Sequence, residues 1–189
     1  TRAAASRSGS VLVALVLAAG VVLSLGIAAY AENGYRRLEG ANRQLAVALE
    51  LQTSLLANDN AKVQRIAGDI RSKYENSPYT QMAALAAAKT AFEANDLKTA
   101  KAQLQWAADN GNDEYKSIAK LRLAGVLLDE KAFDEALKVL NGTFLPQFTA
   151  QVNDRKGDVL VGQNKLNEAR AAYVAALAAM DAASPARQL

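Results

Sequence analysis

The chain has 189 residues, 22 basic and 19 acidic side chains, a net charge of +3, and neither histidine nor cysteine. Imidazole acid–base catalysis, thiol nucleophiles, redox dithiols, Cys/His zinc sites and disulfides are thereby excluded. The excess charge lies in residues 1–45, with five arginines against two glutamates. Residues 46–189 balance 17 against 17 and offer no clustered basic footprint for nucleic acid.

At the N-terminus, Val11 to Ala31 is free of charge, and only Gly20, Ser24, Gly26 and Tyr30 interrupt Val, Leu, Ile and Ala. These 21 residues, at 1.5 Å each, cover roughly 30 Å as a helix, the thickness of a bilayer's hydrocarbon layer. A core helix of a globular domain would carry a polar stripe, which is missing here. Arg2 and Arg7 followed by Ala29-Tyr30-Ala31 also have the form of an export signal with a cleavage site. Signal cores span roughly 7 to 15 residues, so length favours an uncleaved anchor, and cleavage stands as the alternative. Either way, with the arginines held inside, the remainder of the chain faces the far side of the membrane. Gly20, Ser24 and Ala28 recur every four residues and form a face on which another membrane helix could pack.

Beyond the anchor, the pattern predicts helices at 36–57, 60–74, 78–94, 97–110, 114–130, 133–141, 149–163 and 166–182, with no strand-like alternation. The breaks coincide with turn chemistry: Asn58-Asp59-Asn60, Asn76-Ser77-Pro78, Asn95-Asp96, Asn110-Gly111-Asn112, Asn141-Gly142 and Gln163-Asn164. Three stretches repeat a large apolar residue, two polar ones and alanine: Leu97 to Ala100, Phe133 to Ala136 and Leu166 to Ala169. Four residues after each alanine stands Leu104, Leu140 or Tyr173, and twelve before it Ala88, Ala124 or Gly157. The alanines lie 36 and 33 residues apart, the period of a two-helix solenoid unit. The arrangement resembles the tetratricopeptide repeat (TPR), although no unit has the Trp expected early in its first helix. Residues 32–77 conform only loosely and read as an atypical end unit before the repeats of 78–189, behind a 10–31 membrane helix and a 1–9 cytoplasmic segment.

The chain has no phosphate-binding glycine loop. The acidic pairs Asp113-Glu114, Asp129-Glu130 and Asp134-Glu135 sit beside helix boundaries, where they complement exposed N–H groups or solvate a corner. Ser117 and Lys120, three apart on a helix, permit a Ser–Lys dyad on paper, but no oxyanion loop accompanies them.

The segments MAALAAAKTAFEANDLKTAKAQLQWAADN (82–110), IAKLRLAGVLLDEKAFDEALKVLNG (118–142) and DRKGDVLVGQNKLNEARAAYVAAL (154–177) resemble the YfgM-type ancillary subunit of the bacterial SecYEG translocon. The resemblance implies an all-α protein, one N-terminal transmembrane helix followed by a TPR-like α-solenoid in the periplasm. It implies no enzymatic activity and no cofactor. It also implies partnership with SecYEG and the membrane-anchored periplasmic chaperone PpiD, and help for exported polypeptides at the inner membrane. TRAAASRSGS departs from the amphipathic, Trp-bearing cytoplasmic segment of many members, and Thr1 in place of Met carries the expectation that part of that segment is missing.

Stacked helix pairs expose a concave surface lined by their first helices. The register places Met82, Leu85, Lys89, Phe92, Leu121, Leu128, Asp154 and Asp158 on it. The large apolar members read equally as core, and the charged ones as solvated surface. Two functional readings follow, a membrane-tethered adaptor at the Sec translocon or a cleaved, soluble periplasmic TPR adaptor in envelope assembly or regulation.

Overall fold

A computed structural model describes residues 2–75 and 77–180, and the side chains among them other than those at 2–22 and 78. Every regular element among the described residues is helical: α1 (Arg2–Leu56), α2 (Asn60–Lys73), α3 (Pro78–Glu93), α4 (Leu97–Asn110), α5 (Asp113–Asp129), α6 (Phe133–Leu140), a 3-10 turn (Pro146–Phe148), α7 (Thr149–Gly162) and α8 (Leu166–Ala179). The chain divides into two compact units, Thr1–Ala46 and Val47–Leu189.

The described residues of the first unit all belong to α1. The sequence pattern predicts a separate helix starting at 36, but no proline stands between 31 and 36 to stop the one before it. Arg36 donates to Glu32 at 2.6 Å and Arg43 pairs with Glu39, both i, i+4 contacts, exposed and worth a few tenths of a kcal/mol each. Among the described residues no helix is long and apolar enough to cross a membrane. The span expected at 10–31 falls for the most part on side chains outside those described.

The second unit is a run of helix hairpins closed by one recurring turn. Asn58, Asn95, Lys131 and Asn164 each adopt a left-handed backbone, with φ of 54°, 60°, 61° and 60°. After each, the next N–H reaches back to a carbonyl five residues earlier: Asp59 to Ser54 at 3.0 Å, Asp96 to Ala91 at 2.8 Å, Ala132 to Leu127 at 2.8 Å and Lys165 to Leu160 at 2.9 Å. This is the Schellman closure, and asparagine tolerates its positive φ better than other residues with a side chain. Asp59 and Asp96 then cap the second helix by accepting from Lys62 N and Thr99 N, both at 3.0 Å. The same turn occurs at the end of α1, so the pair formed by α2 and the last turns of α1 is a hairpin of the same kind as the other three.

In each hairpin the fifth residue after the turn is sealed from water: Val63, Ala100, Ala136 and Ala169 are at most 1% exposed. Around it two further positions compensate in volume. Ala88 faces Leu104 in register, Ala124 faces Leu140, and Gly157 faces Tyr173, so the first helix shrinks as the second grows. A Cβ on Gly157 would stand 2.4 Å from Tyr173 Cε1, inside any allowed contact. The first hairpin inverts the sizes, with Leu51 on the first helix and Ala67 on the second, both buried.

Two clusters result. One joins Leu51, Val63, Ile66, Ala67 and Ile70 to Ala83 and Ala87 of α3. The other runs from Ala84, Leu85 and Ala88 of α3 through Leu104, Leu123, Leu127 and Leu140 to Val152 and Val159 of α7. Helix α3 thus serves both, one face to each. Polar links reinforce the stack: Gln64 donates to Ala87 O at 2.7 Å, and the Arg71 guanidinium lies 5.7 Å from the Trp106 ring centroid.

Two substitutions test these constraints. Lys131→Gly relieves a left-handed lysine and is expected to raise the urea midpoint by the equivalent of about 0.5–1 kcal/mol. Gly157→Ala is expected to cost about 1–3 kcal/mol through overpacking. Adding Tyr173→Leu, which recreates the pair used at Ala124 and Leu140, should recover most of that loss in the same denaturation assay.

Candidate functional site

The first helices of three successive hairpins, α3, α5 and α7, wall an open cleft of about 390 Å³. Its base is apolar, built from Ala88, Phe92, Leu104, Leu121 and Val126, with Lys89, Arg122, Asp129 and Arg155 at the rim. Local chemistry sets the helices that carry it. Ser77 caps α3 with Pro78 in its first turn, and Asn112 caps α5 by accepting from Tyr115 N at 2.9 Å. Gln81 of α3 accepts from Asn112 N at 3.2 Å and joins the start of α5 to α3. The Ser117 hydroxyl, 2% exposed, donates to Asp113 O at 2.8 Å and accepts from Leu145 N at 3.3 Å, tying α5 to the loop after α6.

Of the residues expected to line a partner groove, Lys89, Phe92 and Leu121 line this cleft. Phe92 is 41% exposed, a large apolar surface to leave in water. Met82, on the same helix, is also exposed but does not line the cleft. Leu85 belongs to the core, and Leu121 and Leu128 rest half-buried against it. Asp154 is exposed. Asp158 is engaged within its own hairpin, accepting from Tyr173 Oη at 2.9 Å and from Arg155 at 3.2 Å. On α1, Ser24 and Ala28 are exposed, whereas Gly20 lies outside the described side chains.

Sequence reasoning missed Arg122, Gly125, Val126, Asp129 and Arg155. One signal was available: Arg122 and Arg155 hold the same register, two residues before the small residues Ala124 and Gly157. Gly125 was another, since glycine inside a helix costs about 1 kcal/mol relative to alanine and calls for a reason. Its neighbours supply none, for a Cβ there would meet nothing within 4 Å. The space above it belongs to the cleft.

A wider cleft of about 890 Å³ opens on the other side of α5, between α4 and α6, with Lys101, Lys120, Glu135 and Lys138 around it. Two of these charges are committed within the fold. Lys101 pairs with Glu130 at 2.7 Å, and Lys120 donates to Thr143 O at 3.0 Å beside the Phe144 ring. Ser117 and Lys120 therefore serve the α5–α6 connection and do not form the dyad their spacing permits. No cluster of three His, Cys, Asp or Glu able to hold a metal occurs among the described residues.

The sequence matches the tetratricopeptide repeat-like domain family over residues 8–189. It is 30% identical over 173 residues to the ancillary SecYEG translocon subunit of Neisseria gonorrhoeae (strain ATCC 700825 / FA 1090), spanning 89% of this chain and 82% of the relative. The chain belongs to that family. The ancillary SecYEG translocon subunit of Escherichia coli (strain K12) is likewise 30% identical over 161 residues, 84% of this chain and 77% of the relative. For a member of this family the cleft between first helices is the feature of interest, because it is apolar at its base, charged at its rim and open.

The last hairpin beside it carries a pH-sensitive contact. Burial first, then the hydrogen bond to Asp158 and the negative charge of Asp158, push the Tyr173 phenol from 10.0 up to about 12. The folded chain therefore holds this proton more tightly than the unfolded one. The contact's contribution is intact below about pH 10 and is lost as pH rises towards 12. Thermal melts across that window should show a steeper loss for the native chain than for Tyr173→Phe.

Proposed function

We propose that the chain is a non-enzymatic, membrane-anchored TPR-type adaptor that associates with the SecYEG translocon, its helix hairpins offering the cleft between α3, α5 and α7 to a partner polypeptide. The observation that carries this reading is the pair of relatives, each named an ancillary SecYEG translocon subunit and each matched over more than three quarters of its own length. The hairpin stack supports it, because repeated helix pairs bury a continuous core and leave their first helices free to bind.

The uncharged run from Val11 to Ala31 is the proposed anchor, with the N-terminus in the cytoplasm and the hairpins in the periplasm. The Gly20, Ser24 and Ala28 face is its proposed contact with a neighbouring membrane helix. On this reading the adaptor links the translocon to the periplasmic chaperone PpiD and assists exported proteins. The small-x-small triplet Ala29-Tyr30-Ala31 favours a second reading, a cleaved and freely periplasmic TPR adaptor.

Detergent-solubilised membranes test the proposal. The tagged chain is expected to co-purify with SecY and to show an intact mass that includes residues 1–31. Gly20→Leu combined with Ser24→Leu should reduce the co-purified SecY several-fold without lowering the amount of chain in the membrane. A mature mass starting at Glu32 would decide for the cleaved adaptor, and absence of SecY from the purified sample would remove the translocon assignment.

A further inference from the structure

Past the uncharged run, helix α1 carries an apolar face that nothing in the fold covers. Tyr35, Leu38, Leu45, Leu49 and Leu56 lie on one side of the helix, and all are exposed, from 48% at Leu45 to 78% at Leu56. Val47, Leu51 and Ser54 point the other way, Leu51 and Ser54 buried in the first hairpin and Val47 packed on its cluster. Asn42 and Gln52, also exposed, fill the two gaps, so the steps along the outer face alternate three and four residues without a break. This is the a/d pattern of a coiled coil, sustained for three heptads. A helix that merely faces water has no use for it.

We infer that this face pairs with the same face of a second copy of the chain, as a parallel, in-register coiled coil just outside the membrane. The polar positions select self-pairing. In register, Asn42 and Gln52 each lie opposite the same residue of the second copy, and a carboxamide both donates and accepts, so each satisfies its own kind. A single asparagine at an a position is also a device that fixes register and strand number.

Charge agrees. Arg36, Arg37 and Arg43 lie away from the seam, and Arg36 and Arg43 are already paired with Glu32 and Glu39 of their own helix. The flanking positions are Gly34, Ala41, Ala48 and Leu55 on one side and Glu39, Ala46 and Thr53 on the other. Identical copies therefore meet with no like charges facing across the seam, and a partner selected by charge finds only Glu39. An antiparallel pairing also matches leucines, Leu38 with Leu56 and Leu45 with Leu49, but it sends the two N-termini in opposite directions. The inference rests here on the proposed anchor, which gives both copies one direction and, by confining them to one membrane, raises the effective concentration for a short seam.

The chain has no cysteine, so single-cysteine variants report the pairing directly. In lipid vesicles holding only the purified full chain, oxidation of Leu38→Cys, Asn42→Cys and Leu45→Cys is expected to give a disulfide-linked species of twice 20.0 kDa. Its yield should be several times that of Arg37→Cys and Gly40→Cys, on the far side of the helix. Adding Leu38→Glu and Leu45→Glu to Asn42→Cys should cut the yield about tenfold or more and leave Tm unchanged, because both leucines are exposed in the single chain.

Equal yields on the two sides of the helix, or linkage that survives the two glutamates, would overturn the inference. Linkage by Leu38→Cys combined with Leu56→Cys, when neither links alone, would show the antiparallel pair and overturn it as well. So would a Leu45→Cys product in native membranes that holds a different protein in place of the second copy. The anchor is read separately: an intact mass beginning at Glu32 removes it but leaves residues 35–56 in the chain.

Discussion

The second unit depends on one constraint, that two helices joined by a short left-handed turn must fill the space between them without overlap. Protein interiors are packed like organic crystals, so a missing or additional methyl group at such a crossing is felt. Here the same three positions recur in every hairpin, and their volumes trade against one another. Glycine opposes tyrosine, alanine opposes leucine twice, and leucine opposes alanine at the start of the stack. The turn fixes the register by which these partners meet, because the first i→i−4 backbone hydrogen bond after each turn is donated by the sealed residue: Val63, Ala100, Ala136 or Ala169.

The cleft follows from that packing. Once second helices are committed to the crossing and to the next hairpin, the outward side of α3, α5 and α7 has no internal role. It bears the residues the interior does not need, among them an exposed phenylalanine, an open helical glycine and an arginine, Arg122, with no ion pair among the described residues. Phe92 and Gly125 are costly in a helix that merely faces water, the first by apolar exposure and the second by backbone entropy. Their meeting in one cleft is what sets that surface apart from the wider one beside α4 and α6, where Lys101 and Lys120 are held by Glu130 and Thr143.

Much of this was legible beforehand for a physical reason. A repeated alanine whose neighbours four residues on and twelve residues back also repeat can arise only from a repeated crossing, and asparagine before a helix start marks a left-handed turn. Helix boundaries from 60 onwards were therefore predictable to within a few residues. The break expected near 31 was not, because a boundary without proline can be overrun by a helix that gains one hydrogen bond per added residue. The first hairpin escaped as a true repeat because its volumes are inverted: a search for alanine at the sealed position passes over Val63, although Leu51 and Ala67 complete the same fit.

The site was harder to read than the fold. Lys89, Phe92 and Leu121 fall on the cleft because residues that leave one face of a first helix do so at fixed spacing, whereas Leu85, on the same helix as Lys89 and Phe92, turns inward to the core. Asp158 was drawn into its own hairpin by Tyr173, a partner fifteen residues away. By itself, then, the sequence determined the helical class, the hairpin period and the turn residues, all of which depend on interactions among near neighbours. Only the tertiary structure decided which exposed side chains share a cleft and which charges are already satisfied, because those facts depend on distances between helices that no local pattern encodes.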